Sequence, residues 1–289
     1  MNSRTTLAEC HHPETVIKSD SGWFTLNLRE LFAYRDLLRL LVWRDFVAKY
    51  RQTIFGPLWF VLQPLLTTAV FVVVFAKVMK VSTDGIPPIL FYLTGLLGWH
   101  YFAQTFTQVS STFLTHAQLF GKVYFPRAIV PLASTIGGIW AVLLNAVILC
   151  LFIAYFSLQK ALETNVGLHL LYFPLIVLQI ACIALGAGLW MAVLTAKYRD
   201  LSHMIGFLTQ ILLYATPVIY PLSQVKGTLR RVAEMNPMAF PLEALKEVFL
   251  GTSSVNASLG ILSISITVGL LVTGALAFQH TQRSFIDTV

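Results

Sequence analysis

Residues 128–159 read AIVPLASTIGGIWAVLLNAVILCLFIAYFSLQ, and this stretch decides the fold class. Its 32 residues include no Asp, Glu, Lys or Arg. A helix needs about 20 apolar residues to cross a hydrocarbon core of about 30 Å, so the stretch is long enough for one membrane-spanning helix. It is continuously apolar and lacks the alternation of outer-membrane β-strands, which favours a helix over a barrel strand.

Five further stretches contain no charged residue and have 25 to 37 residues each: Gln52–Ala76, Gly85–Gly121, Thr164–Ala196, Leu201–Val225 and Val248–Gln282. Each has room for one spanning helix. With only 11% charged residues in the chain, too little polar surface remains for a soluble protein with six buried helices. We therefore predict an all-α integral membrane protein with six transmembrane helices, near residues 57–77, 89–110, 129–157, 169–195, 202–220 and 257–279.

The basic residues predict the orientation of these helices. With six spans, 13 Lys and Arg residues fall on the side of the two termini and 7 on the other side. Cytoplasmic loops carry the excess of Lys and Arg, so we expect both termini in the cytoplasm.

Residues 1–25 are polar and lack the apolar core of a signal peptide, so residues 1–27 are expected to form a polar N-terminal extension.

The segment 28–51 is expected to form an amphipathic interfacial helix. Leu31, Tyr34, Leu38 and Leu41 share one face of a helical wheel. The apolar face shifts from Val42 onward, which predicts a break near residues 41–43. A basic amphipathic helix of this kind lies at the cytoplasmic membrane surface, or packs on a soluble partner.

The segment 222–250 predicts two short helices between the fifth and sixth spans. Asn236 and Pro237 are suited to begin the second helix, and Gly251 is suited to end it. Apolar residues recur at helical spacing within that second helix. We interpret the segment as an external re-entrant helical hairpin, with a solvated loop as the alternative.

The spans lack the residues that several kinds of membrane protein require. No span centre holds an acid or a base, which argues against a proton-coupled transporter or an ion pump. No Ser/His/Asp set, paired acids or His/Cys cluster is present, so we expect no catalytic and no metal-binding residues. His100 is the remaining titratable candidate near a span centre, with a structural or pore-lining role.

The chain also lacks the phosphate-binding loop G-x-x-x-x-G-K-[ST]. Its only Gly-Lys pair, Gly121-Lys122, is followed by Val123. If the protein transports actively, the energy must therefore enter through another subunit.

Aromatic residues make up 13% of the chain, and many of them belong to the ordinary interfacial belt of a membrane protein. Aromatic rings suit the C–H faces of sugars, and Tyr and Trp add a hydrogen-bond donor. Packing against lipid or within the core is the alternative for each ring. The candidates for lining a conduit are Trp59, Tyr92, Trp99, Phe102, Phe106, Trp140, Tyr214 and Tyr220.

Several short motifs follow one another along the chain. In order, they are Arg44-Asp45, Lys49-Tyr50-Arg51-Gln52, Gly56-Pro57-Leu58-Trp59, Phe125-Pro126-Arg127, Tyr198-Arg199-Asp200, Thr216-Pro217-Val218-Ile219-Tyr220-Pro221 and Asn236-Pro237-Met238. This order resembles the membrane (permease) subunits of bacterial type-2 ABC exporters. Within that family it looks most like the branch that exports polysaccharide, O-antigen and teichoic acid. The resemblance covers roughly residues 28–285.

The resemblance implies a homodimer in the bacterial inner (cytoplasmic) membrane, bound to two copies of a cytoplasmic ABC ATPase. ATP and Mg are then expected on that ATPase, with no cofactor on this chain and no nucleic-acid partner. The implied cargo is a polysaccharide linked to a polyprenyl diphosphate lipid, carried through a conduit at the dimer interface.

The resemblance also assigns roles to segments. It implies that segment 28–51 cradles the ATPase and that hairpin 222–250 forms gate helices at the outer face. It implies that the loop 115–127 couples the permease to the ATPase, through the candidates Gln118, Leu119, Phe120 and Arg127. A simple interfacial turn is the alternative for this loop.

Arg44, Lys49 and Arg51 lie where a cytoplasmic lipid diphosphate would arrive, and Arg suits bidentate phosphate contacts. An equally good interpretation is that these three residues anchor the segment at the membrane surface beside anionic lipids.

Two other functions remain open from the sequence. One is export of a small drug or lipid by the same superfamily. The other is an embedded lipid-modifying enzyme, for which His100 is the most obvious polar residue.

Overall fold

The computed structural model describes residues 32–50, 58–120, 125–159, 168–251 and 256–284. Within these ranges the regular structure is helical and contains no β-strand, which confirms the all-α prediction there. The main helices are α1 (Arg35–Tyr50), α2 (Trp59–Phe71), α3 (Pro88–Ser110), α4 (Ile129–Gly137), α5 (Ile139–Leu158), α6 (Phe173–Lys197), α7 (Leu201–Ala215), α8 (Gly227–Met235), α9 (Ala239–Leu250) and α10 (Ala257–Ser284).

Shorter elements connect several of these helices. A π-helix, Val72–Val78, continues α2. Two one-turn helices, Thr112–Thr115 and Ala117–Phe120, follow α3, and the 3-10 helices Leu168–Tyr172 and Leu222–Gln224 precede α6 and α8.

Four helical segments of the described chain are long and apolar enough to cross a membrane: Val61–Val78, Ile129–Leu158, His169–Lys197 and Ala257–Gln282. They correspond to the predicted first, third, fourth and sixth spans. The second and fifth predicted spans are helices α3 and α7, and their crossing of the membrane stays a prediction.

Helix α3 lies at the centre of the molecule, where it contacts α2, α5, α6, α7 and α9. Sixteen of its 23 residues are buried, so protein rather than lipid surrounds most of it. Two of its hydroxyl groups bond within the helix, Thr94 Oγ1 to the Leu90 carbonyl at 2.8 Å and Ser110 Oγ to the Phe106 carbonyl at 2.6 Å, and Tyr101 bonds to the Thr135 carbonyl of α4 at 3.0 Å. A helix enclosed in this way tolerates polar residues, because its polar groups meet protein partners instead of hydrocarbon.

Helix α7 ends at Ala215, so the prediction of a span over 202–220 is wrong at its C-terminal end. Thr216 has extended backbone (φ −106°, ψ 145°) because the ring of Pro217 disfavours helical geometry in the residue before it. The 15 residues of α7 rise only about 22 Å, less than the roughly 30 Å of a hydrocarbon core.

Helix α1 is continuous from Arg35 to Tyr50, so the predicted break near residues 41–43 is wrong. Leu41 is buried in a cluster with Val109 and Phe113. On the shifted face Phe46 packs against Trp140 of α5, with ring centroids 6.2 Å apart. Each face of the helix therefore has a contact with another element, and the helix continues without a break.

Helices α6 and α10 pack against each other most closely at Gly186 and Gly274. A Cβ atom on Gly274 would lie 2.7 Å from the Gly186 carbonyl oxygen. Because small residues let helix backbones approach, polar side chains also reach across this interface. Gln179 Nε2 donates to Ser263 Oγ at 2.8 Å, and Trp190 Nε1 donates to Thr273 Oγ1 at 3.0 Å.

Candidate functional site

A cavity of about 570 Å³ lies between α2, α3 and α5. Its described lining includes no Asp, Glu, Lys or Arg, but it is rich in neutral polar side chains. These polar lining residues are Gln63, His100, Gln104, Thr107, Gln108 and Asn145.

One face of α3 supplies most of these polar groups. His100, Gln104 and Gln108 follow one another at intervals of four residues, so they lie one above the other along the helix. Trp59, at the start of α2, lines the same cavity, and the residue as a whole is 41% exposed. The cavity therefore has an aromatic ring at its edge and a row of amide and imidazole groups along one wall.

Asn145 of α5 contributes an acceptor that the protein does not use. Its Nδ2 donates to the Ala141 carbonyl at 2.8 Å, but its buried Oδ1 meets no hydrogen-bond donor in the described chain. Buried polar atoms are costly unless they are paired, so a rotation of the Asn145 side chain that turns this oxygen toward the cavity would let it accept from a hydroxyl there.

The chemistry of the cavity follows from these groups. Amides and imidazole both donate and accept hydrogen bonds, which matches solutes with many hydroxyl groups. Among the described lining residues there is no fixed charge that would hold an ion in place. Sequence reasoning missed Gln63, Gln104, Gln108 and Asn145, although amides inside charge-free stretches at helical spacing are a readable signal.

The aromatic residues predicted to line a conduit are divided by the structure. Tyr92, Trp99, Phe102 and Phe106 are at most 4% exposed and belong to the hydrophobic core, where they pack on neighbouring rings. Trp59, Trp140 and Tyr214 have exposed rings, and Tyr220 is half-buried. Only Trp59 of these eight lines the cavity, and a conduit formed by the exposed rings stays a prediction.

Helices α8 and α9 form the two short helices predicted for residues 222–250, joined by a turn at Asn236 and Pro237. Helix α9 begins at Ala239, two residues later than expected. It ends at Gly251, which has the left-handed conformation (φ +69°) that glycine adopts without strain. The position of this hairpin relative to the membrane stays a prediction.

Asn236 connects the hairpin to the end of α7. Its Nδ2 donates to Thr216 Oγ1 at 2.9 Å, and its Oδ1 accepts from the Met238 backbone N–H at 3.0 Å. The next carbonyl, of Pro237, accepts a hydrogen bond from Ser263 Oγ at 2.7 Å. The turn is therefore bonded to both neighbouring helices, α7 and α10.

Two substitutions of Asn236 separate these bonds. Asn236→Asp keeps the acceptor for Met238 but loses the donor to Thr216, and Asn236→Ala loses both. We expect losses of about 1 and 2 kcal/mol of stability respectively, at about 1 kcal/mol per hydrogen bond. Thermal unfolding of the purified variants in detergent measures this order, and equal losses for both variants would contradict the assignment.

The loop between α2 and α3 holds the other end of the hairpin. Asp84 Oδ2 accepts from Ser223 Oγ at 2.7 Å, and its Oδ1 accepts from Gln224 Nε2 at 3.3 Å. Asp84 has positive φ (52°), a conformation that Asp tolerates better than most residues.

Lys246 of α9 is a buried cation that sequence reasoning counted among the external basic residues. It is 2% exposed, and its Nζ donates to the Pro217 carbonyl at 2.8 Å and to Glu243 Oε1 at 2.9 Å. Nζ also lies 4.2 Å from the ring centroid of Phe91. Burial lowers the pKa of Lys246, and the carboxylates of Glu243 and Asp84 oppose that shift.

At the opposite end of α3, Phe120 and Arg127 join the one-turn helices to α10. The Arg127 guanidinium lies 5.3 Å from the Phe120 ring centroid, and its Nη1 donates to the Gln282 carbonyl at 2.6 Å. Phe120 is buried in a cluster with Phe113 and Phe125. The side chains of Gln118 and Leu119 lie outside the described residues.

The basic residues proposed for lipid diphosphate are placed only in part. Arg44 is exposed on α1 and forms an ion pair with the adjacent Asp45, at 2.8 Å. Arg51 and the side chain of Lys49 lie outside the described residues. Their role stays a prediction.

Comparison with known proteins identifies the family. The ABC-2 type transporter family matches residues 36–250. This chain belongs to that family.

Three relatives cover the chain almost from end to end. The O-antigen export system permease protein RfbA of Myxococcus xanthus is 29% identical over 91% of this chain and 98% of its own length. Two proteins of the same name from Klebsiella pneumoniae are 25% and 26% identical over 90% of this chain and 96% of their own length.

The family assignment confirms the resemblance inferred from the ordered motifs. Together with the four apolar helices, it makes this ABC-2 permease a multi-pass membrane subunit of a transporter rather than a catalytic enzyme.

Proposed function

We propose that this ABC-2 permease exports a polysaccharide linked to a polyprenyl diphosphate lipid, such as an O-antigen, from the cytoplasm to the outer face of the inner membrane. Two copies of the chain form the conduit. Two copies of a cytoplasmic ABC ATPase bind ATP and Mg and supply the energy, because this sequence has no phosphate-binding loop. The names of the relatives support the O-antigen branch.

The uncharged polar cavity between α2, α3 and α5 is the observation that carries this proposal. A glycan presents hydroxyl groups that donate and accept, and the amides of Gln104 and Asn145 match both roles. Its C–H faces are apolar and suit a ring such as Trp59. A small hydrophobic drug is better matched by an apolar lining, so this cavity favours a cargo rich in hydroxyl groups.

The cytoplasmic parts of the proposal rest on two described elements. The cluster of Phe120 and Arg127 gives the coupling loop a fixed support on α10. Helix α1 packs on α4 and carries Arg44 on its exposed side, next to the place where the lipid diphosphate enters in this proposal.

The test replaces the amides of the cavity in a strain that depends on this permease for surface glycan. We expect the double variant Gln104→Leu, Asn145→Leu to lower export about tenfold or more, because two lost hydrogen bonds of about 1 kcal/mol each exceed the 1.4 kcal/mol of a tenfold change. Surface glycan is measured by gel electrophoresis of extracted lipopolysaccharide, and the permease is quantified in isolated membranes.

Gln159→Leu is the matched control, since Gln159 is an exposed amide at the end of α5 and does not line the cavity. Full glycan export by the double variant at normal abundance would remove the cavity from the transport path. Intact surface glycan after deletion of the gene would refute the proposed cargo.

A further inference from the structure

A second groove, of about 760 Å³, lies between α6, α9 and α10 and shares no lining residue with the amide cavity. Its lining is mostly aliphatic and aromatic, and the proposed glycan path makes no use of it. The apolar residues include Leu175, Leu178, Phe240, Ile264, Val268 and Leu271.

The groove has a polar end, formed by His169 and Glu247. Phe249, two residues after Glu247, packs edge-on against Phe173 with ring centroids 5.4 Å apart. Glu247 therefore lies near the first turn of α6, on the side of His169. The start of α9 lies farther along α6. The Pro237 carbonyl, just before α9, accepts from Ser263 Oγ of α10, and the same Ser263 Oγ accepts from Gln179 Nε2 of α6.

The remaining length of the groove offers apolar surface. From Tyr172 to Cys182 the lining follows α6 for about 15 Å. The polar residues along it are already occupied, since Gln179 donates to Ser263 and Thr267 donates to the Ser263 carbonyl at 2.7 Å. Both long walls belong to segments apolar enough to cross a membrane, so lipid chains are the molecules that we expect around this groove.

The charge at the polar end selects among lipid headgroups. Glu247 forms no ion pair within the described ranges, and its carboxylate disfavours an anionic headgroup nearby. A primary ammonium donates hydrogen bonds to a carboxylate, and a charge-assisted bond of this kind is stronger than a neutral one. A quaternary ammonium has no N–H to donate.

We propose that this groove binds one phospholipid whose headgroup carries a primary ammonium, with the ammonium at Glu247 and an acyl chain along α6 and α10. The site is separate from the glycan path and does not depend on the proposed cargo. A volume of 760 Å³ lies within the range of about 300–1,000 Å³ typical of ligand pockets.

The experiment reconstitutes the full-length protein in nanodiscs with equal amounts of phosphatidylethanolamine and phosphatidylglycerol. After re-extraction into mild detergent, the retained lipids are quantified by mass spectrometry. We expect the wild type to retain phosphatidylethanolamine in excess. Glu247→Gln should lower this excess about tenfold, the change expected from losing one charge-assisted hydrogen bond. Glu234→Gln, a half-buried acid on α8 that pairs with Arg230 and does not line the groove, should leave it unchanged.

A second pair of variants tests the groove itself. Val268→Trp fills the lining and should abolish lipid retention, whereas Leu262→Trp on another face of α10 should not. Equal retention of phosphatidylglycerol, an unchanged excess in Glu247→Gln, or cross-linking of Val268 to a second copy of the chain would each overturn the proposal.

Discussion

Gly274→Val is expected to prevent the folded permease from accumulating in the membrane. A Cβ atom on Gly274 would lie 2.7 Å from the Gly186 carbonyl oxygen, and one on Gly186 would lie 2.8 Å from the Leu271 backbone nitrogen. Both obstacles are backbone atoms, so no side-chain rotation relieves the overlap. Helices α6 and α10 must separate, and overpacking of this kind costs about 1–3 kcal/mol and occasionally more. The two hydrogen bonds between these helices are lost as well.

Gly269→Val on the same helix is the matched control. A Cβ atom there meets no other atom within 4 Å. The helix-propensity cost of valine is the same at both positions and cancels in the comparison. The measurement is the amount of protein in isolated membranes, with its elution profile in mild detergent after heating. Similar behaviour of the two variants would show that the close approach of α6 and α10 is not required.

Lys246→Met is expected to cause a comparable loss of stability, together with a loss of export. The ammonium donates to the Pro217 carbonyl and to Glu243, and it lies over the ring of Phe91. Removing one partner of a buried ion pair costs about 3–5 kcal/mol, because the other charge stays in a poorly solvated place. The Pro217 carbonyl is where the chain leaves α7, so this change also detaches α9 from that exit.

A double-mutant cycle with Glu243 separates the ion pair from the remaining contacts of Lys246. Neutralising the carboxylate in Lys246→Met, Glu243→Gln should recover part of the stability that Lys246→Met loses. Lys226→Met, an exposed lysine before α8, is the control for loss of a positive charge. Unfolding temperature in detergent and surface glycan in cells are the two readouts. A Lys246→Met variant as stable as Lys226→Met would contradict a structural role for the buried cation.

Much of the architecture was predictable because charged residues are excluded from helices that meet lipid. The stretches without charge located the helical segments to within a few residues, and the ordered motifs identified the family. The errors lie where local rules compete. Pro217 ends α7 early although the stretch without charge continues to Val225. Helix α1 is continuous because Leu41 on one face packs in a buried cluster and Phe46 on the shifted face packs against Trp140.

The candidate site was predictable only in part. His100 and Trp59 were recognised as candidates, and both line the amide cavity. Tyr92 and Trp99 have the same aromatic character as Trp59, yet they are buried in the core. A ring in an apolar stretch is equally compatible with lipid, core and cavity, so its sequence neighbours do not decide among them.

By itself, the sequence determined that this chain is a helical membrane protein of the ABC-2 family with little charge in its apolar stretches. Hydrophobicity is a property of each residue, so it can be read along the chain. The tertiary structure alone decided that Lys246 lies in the interior, that four amides join His100 around one cavity, and that Gly186 and Gly274 meet. These features depend on which helix faces are brought together, and when most faces of a helix are apolar its residue pattern does not specify the partner.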